Sequence, residues 1–186
     1  FDFIFPLAAY VGAPLCDSDP YASKIVNYDA TINLFNNLSK DQKIIMPTTN
    51  SAYGTGDKNN FCDEDSPLNP ISSYAKQKVE VEKILMEKEN TISFRLATVF
   101  GMSPRMRLDL LVNDFTYRAF NDGFIVIYEG GFKRNYIHVT DVAEAFLLAI
   151  NNFDIMKGNI YNVGLSEANI SKIDLCKLIK KQLPNF

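Results

Sequence analysis

The chain has 186 residues, 47% hydrophobic and 22% charged, with a formal net charge of −3 at pH 7. That length supports one domain with a real core, or most of a larger one, in the composition range of soluble globular proteins. The acidic balance gives nucleic-acid binding no electrostatic support, and no apolar run approaches the roughly 20 residues of a membrane span.

In chain order, Phe1 to Leu7 reads as a short buried strand, stopped by Pro6, with no basic segment ahead of it to suggest a signal peptide. Asp17 or Asp19 caps a helix that has Pro20 in its first turn and runs to Leu38. Lys43 to Met46 is the next strand, and residues 50–72, with Gly54, Gly56, Asn59, Asn60, Pro67 and Pro70, form an irregular loop. A second long helix covers Ser73 to Glu89, and Thr91 to Leu96 is a strand followed by a turn at Gly101. A helix over Leu108 to Asn121 precedes two strands, Phe124 to Tyr128 and Arg134 to His138, around Gly130-Gly131. A helix from Asp141 to Asn151, a strand from Ile160 to Val163 and a final helix capped by Ser171 complete the pattern. Strands alternating with helices predict a largely parallel sheet covered on both faces. A parallel sheet that begins on an unpartnered strand, and a sequence that stops just after a helix, suggest a segment of a longer protein.

Cys16, Cys62 and Cys176 are far apart, and His138 is the sole histidine, so no metal-ligand spacing exists and no metal site is expected. Free thiols fit a reducing cytoplasm. The chemistry concentrates in Ser73-Tyr-Ala-Lys-Gln-Lys78, downstream of Thr48-Thr-Asn-Ser-Ala-Tyr-Gly54. Tyr74 and Lys78 are four residues apart and share one helix face, so the ammonium can favour the phenolate and create a general base near neutral pH.

Several stretches in register carry a resemblance to a known family. They are Phe5-Pro-Leu-Ala-Ala9, Asn27-Tyr-Asp-Ala-Thr31, Thr49-Asn-Ser-Ala-Tyr-Gly54, the Tyr74/Lys78 pair and Arg134-Asn-Tyr-Ile-His-Val-Thr-Asp141. Together they resemble the extended short-chain dehydrogenase/reductases, specifically the nucleotide-sugar epimerases and dehydratases, over the central part of the family's chain. The resemblance implies an α/β, Rossmann-like fold lacking its N-terminal strands. Residues 1–100 then hold the rest of the cofactor domain with its catalytic Thr, Tyr and Lys. Residues 101–186 mix part of a small substrate domain with the last Rossmann elements. It further implies Thr49, Tyr74 and Lys78 as catalytic, with Leu7, Ala8, Ala9, Asn27, Thr48, Tyr74, Lys78 and Ala97 around NAD, NADP remaining open. Thr49, Thr98 and Arg134 are implied to hold a nucleotide-sugar substrate, and the two long helices a homodimer interface.

Departures narrow the reading. Asn50 and Ser51 stand where family dehydratases place Asp-Glu, which disfavours dehydration, and Pro6, Ala30 and Thr98 replace the usual His, Gly and Asn. The family's Gly-x-x-Gly-x-x-Gly turn falls before Phe1 in register, and Gly54-Thr-Gly56 is no substitute. Epimerisation is favoured, with keto-sugar reduction in the same site as the runner-up and a non-catalytic relative as a third reading. Asn27 reads either as a bridge to the cofactor region or as a helix-surface amide. Arg134 reads as a diphosphate clamp or as the partner of Asp141, and His138 as a packed strand residue.

Overall fold

The computed structural model describes residues 1–55, 61–183 and 185–186. Its first elements are β1 (Phe3–Ile4), α1 (Ala13–Ser18), α2 (Pro20–Lys24), a π-helical turn (Ile25–Asp29), α3 (Ala30–Asn36) and β2 (Lys43–Thr49). A 3-10 turn (Asn50–Tyr53), α4 (Ser73–Leu85), β3 (Thr91–Leu96), β4 (Thr98–Phe100) and α5 (Leu111–Asn121) follow. Then come β5 (Lys133–His138), α6 (Val139–Asn151), α7 (Phe153–Met156), β6 (Asn159–Val163), β7 (Asn169–Ser171) and α8 (Lys172–Gln182). They form two compact units, Phe1–Leu96 with Ala145–Val163, and Ala97–Glu144 with Gly164–Phe186.

The first unit is built on a parallel sheet of order β1-β2-β3-β6. Alternation along β2 turns Ile44 and Met46 toward Phe35, Val81 and Leu85 of α3 and α4. Ile45 faces the other way and packs with Ile92 and Phe94 against Ala149 and Phe153 of α6 and α7. Both faces are covered, which is why β2 and β3 are buried along almost their whole length. Register brings Thr49, Leu96 and Val163 level at the carboxyl ends of three adjacent strands.

Several boundaries differ from expectation for local reasons. The first strand is confined to Phe3–Ile4, because only those residues pair with β2. Strand β2 continues past Met46 to Thr49, since β1 pairs no further than Ile44 and the missing donor of Pro47 then lies on an edge. The expected Asp19–Leu38 helix is present but interrupted by the π turn, where Ala30 N–H reaches back to Ile25 O. Helix α1, starting from Gly12 at φ 99°, was not anticipated, and neither was the short α7. Helix α4 starts where expected, with Ser72 Oγ accepting from Ala75 N at 3.2 Å, but ends at Leu85 rather than Glu89. The 50–72 loop begins with an ordered 3-10 turn. Gly56, Asn59 and Asn60 lie outside the described residues.

The second unit carries a sheet of order β4-β5-β7, with β4–β5 parallel and β5–β7 antiparallel. Its core joins Phe115 and Ala119 of α5, Tyr136 of β5, and Leu175 and Ile179 of α8. Ser171 caps α8 as expected, its Oγ accepting from Asp174 N at 3.1 Å. The strand expected at Phe124–Tyr128 does not form. Strands β4 and β7 occupy both edges of β5, so that segment finds no ladder and leaves Phe124, Val126 and Tyr128 exposed.

Candidate active site

Thr49 ends β2 in extended geometry, φ −147° and ψ 140°, and caps the 3-10 turn by accepting from Ser51 N at 3.1 Å. A hydroxyl that accepts there keeps its own proton, so Thr49 retains a donor at the carboxyl edge of the sheet. Thr48 faces the opposite side and donates to Glu82 Oε2 at 2.9 Å. The turn ends at Gly54, whose φ of 69° and whose place against Asn69 O leave no room for a Cβ.

Helix α4 packs against β2 and against this turn, and carries Tyr74, Lys78 and Glu82 at successive i+4 steps. Tyr74 is half-buried. Lys78 is 3% exposed, and among the described residues its ammonium makes no hydrogen bond or ion pair. Burial pushes its pKa down from 10.5 to about 8, against an opposing pull from Cys16. An ammonium so placed suits a ligand presenting hydroxyl or carbonyl oxygens. Tyr53 contrasts with that arrangement: burial raises its pKa, against the opposing pull of Arg95, and keeps it a proton donor.

The segment after β1 leaves Leu7 and Ala8 exposed and Ala9 half-buried, and is fixed by Asn27. That side chain is 1% exposed, which overturns the helix-surface alternative. Asn27 Oδ1 accepts from Tyr10 N at 2.8 Å, while its Nδ2 donates to Tyr10 O at 2.9 Å and Gln77 Oε1 at 3.0 Å. Thus the π turn presents an amide that clamps the 7–10 segment to α4. Thr31, four residues on, donates to Asn27 O at 3.2 Å.

The first unit therefore gathers Thr49, Tyr74, Lys78, Thr48, Asn27 and residues 7–9. Ala97, Thr98 and Arg134 belong to the second. There Ala97 is buried against Gly164, Thr98 opens β4 opposite Tyr136, and Arg134 is an exposed β5 residue opposite Ile170. Arg134 forms no ion pair with Asp141 among the described residues. His138 is packed as expected, its ring 5.4 Å from that of Phe100 and its Nδ1 accepting from Thr140 N at 3.2 Å. Among the described residues, no three His, Cys, Asp or Glu side chains are grouped to hold a metal, the three cysteines are free thiols, and no helix is long and apolar enough to cross a membrane.

Sequence reasoning missed Glu82, Arg95 and Tyr53, which form a buried polar network beneath the site. A signal existed. An arginine inside the apolar strand Ile92-Ser-Phe-Arg95 requires a buried partner, and Glu82 is one turn beyond Lys78.

A parallel sheet ending in hydroxyls, followed by a helix that carries a phenol and a buried ammonium, is that of an α/β protein, a class that binds ligands in the crevice beyond the carboxyl ends of its strands. Residues 1–164 match the NAD dependent epimerase/dehydratase family, and the chain belongs to that family. It is 29% identical over 150 residues to dTDP-D-glucose 4,6-dehydratase of Homo sapiens, covering 75% of this chain and 41% of that protein. It is 28% identical over 155 residues to a probable UDP-glucuronate 4-epimerase of Rhizobium meliloti, covering 78% of this chain and 45% of that one. The UDP-glucose 4-epimerase of Thermus thermophilus, solved as a complex with NAD, superposes with a TM-score of 0.84 at 25% identity, over 98% of this chain and 62% of that chain. This chain thus spans less than half the length of those two curated relatives.

Proposed function

We propose that the protein is an NAD(P)-dependent epimerase of a nucleoside-diphosphate sugar, working by transient oxidation to a keto sugar. The observation that carries this reading is Lys78, an almost fully buried ammonium without a partner among the described residues, one turn from Tyr74 on the helix that packs against β2 and against the turn Thr49 caps. Tyr74 takes the proton of the sugar hydroxyl and later returns it. Thr49 donates its remaining proton to the same oxygen and holds it at reacting distance. Lys78 binds the cofactor ribose and favours the Tyr74 phenolate. Leu7, Ala8, Ala9 and Ala97 line the cofactor, and Asn27 and Thr48 support that lining from beneath through Tyr10 and Glu82. Thr98 and Arg134 serve the substrate, Arg134 as a permanently charged fork for diphosphate. NAD, when bound, supplies the hydride acceptor and donor.

Asn50 and Ser51 support epimerisation over dehydration, because neither an amide nor a hydroxyl exchanges protons as an acid–base carboxylate does. The likeness of the two long helices to the family's dimer helices supports a homodimer, and the three free thiols support a cytoplasmic setting. A purely monomeric sedimentation profile would count against it.

The test is Tyr74→Phe in the full protein, with UDP-, dTDP- and CDP-sugars followed by proton NMR. Expected is loss of epimer formation by about 100-fold to 10,000-fold. Turnover near wild type overturns the role of Tyr74. Turnover of keto sugars alone selects the reductase, and none by wild type selects the non-catalytic reading.

A further inference from the structure

Thr49 on β2 can act with Tyr74 and Lys78 on α4 only while helix and strand end keep a fixed relation. What holds them lies under the site. Glu82, 3% exposed, accepts Thr48 Oγ1 at 2.9 Å and Ser93 Oγ at 2.6 Å on Oε2. Its Oε1 accepts Arg95 Nη2 at 2.7 Å and Nε at 3.0 Å. Arg95, also 3% exposed, donates through Nη1 to Tyr53 Oη at 2.8 Å and to Glu64 O at 3.0 Å. Tyr53 lies beneath the guanidinium, 5.2 Å from ring centroid to Cζ, and donates its own proton to Asn162 Oδ1 at 2.8 Å. Asn162 N in turn donates to Glu64 Oε1 at 2.6 Å.

Each contact lands close to a residue of the proposed site. Glu82 is one turn past Lys78, Thr48 adjoins Thr49, and Tyr53 ends the turn that Thr49 caps. We propose that Arg95 is a positioning residue, which locks the α4 face bearing Tyr74 and Lys78 to the Thr48–Tyr53 corner bearing Thr49. The inference rests on the proposed function. Stability alone does not explain the choice, since a buried ion pair is often replaceable by well-packed apolar groups without loss. Geometry does: only a planar fork bonds a carboxylate side-on while its other nitrogen reaches a phenol and a carbonyl.

The experiment is Arg95→Lys in the full protein, which keeps a cation beside Glu82 but loses the fork. Misplacement of about an ångström costs on the order of 100-fold in rate, so kcat falls tenfold to a hundredfold per folded molecule while KM for the sugar nucleotide stays within about twofold. A second readout needs no turnover. Lys78 is titrated by NMR without cofactor, with Cys16 of α1 as the titratable group acting on it from a neighbouring element. In the variant its pKa moves from about 8 toward 10.5 as water enters. Where Arg95→Lys fails to fold, Tyr53→Phe removes only the shared oxygen and is expected to shift both readouts in the same sense. A lower melting temperature with kcat and the Lys78 titration unchanged overturns the proposal. If wild type turns over no nucleotide sugar, the functional reading fails, and the Lys78 titration still decides the positioning.

Discussion

In the first unit a complete ion pair, Glu82–Arg95, has side chains only 3–4% exposed, between α4 and the sheet. In the second, every ion pair among the described residues, such as Arg118–Asp114 and Lys177–Asp174, stands at the surface, while Phe120, Phe124, Val126 and Tyr128 are 63–78% exposed. The difference extends to buried polar atoms. Lys78 aside, the side-chain atoms sealed from solvent without a partner among the described residues, Asn135 Oδ1 and Tyr136 Oη, are both in the second unit. Electrostatics thus specify geometry in the first unit, where bonds converge below the proposed site. Apolar packing of α5 and α8 against β5 holds the second.

Breaking the buried pair is the harshest trial of this contrast. Arg95→Ala strands the Glu82 carboxylate, and removing one partner of a buried pair costs about 3–5 kcal/mol. For a chain of this size that lowers the melting temperature by roughly 10–15 °C, readable by calorimetry. Asp114→Ala, which breaks an exposed i,i+4 pair, leaves the transition where it was. Equal shifts for the two variants would dissolve the contrast.

Lys78 sharpens it, because here the first unit tolerates a buried charge that no group among the described residues pairs with. Its folded pKa of about 8 lies below the ordinary 10.5. Under pH 8 both folded and unfolded chains hold the proton, and the folded state bears the full cost of burying it. Between about pH 8 and 10.5 the unfolded chain keeps a proton that the folded chain has released, so stability rises with pH. Lys78→Met is therefore expected to stabilise the cofactor-free protein by about 1–3 kcal/mol at pH 7 while abolishing turnover. The gain shrinks toward pH 10, as urea unfolding at the two pH values measures. Destabilisation at pH 7 would mean that the ammonium already has its partner.

How much of this was readable in advance follows from the range of each interaction. The helix face shared by Tyr74 and Lys78 is set by local spacing, so it was legible, as were the Ser171 cap and the alternating pattern of the parallel sheet. The clamp formed by Asn27 was half legible. Its motif was visible, but its bond to Tyr10 spans 17 residues and depends on a π turn that no propensity announces. The links from Arg95 to Glu82 and Tyr53 span 13 and 42 residues, and only the topology brings them together. Phe124–Tyr128 misled for the converse reason. A continuous β-branched and aromatic run was present, but strand formation needs a free edge, and β5 had none.

The smallest expected effect addresses the second unit directly. Tyr136 is 3% exposed among Phe115, Ala119, Leu175 and Ile179, and its hydroxyl has no partner among the described residues. Burial raises its pKa, against the opposing pull of Arg134, so the phenol is neutral at physiological pH. A buried donor without an acceptor costs on the order of 1–3 kcal/mol, part of which is recovered when the oxygen is removed and the ring retained. Tyr136→Phe is thus expected to be neutral or to stabilise by about 1 kcal/mol in urea titration. A loss of more than that would show the hydroxyl to be bonded, and the second unit would then meet its buried polar groups as fully as the first.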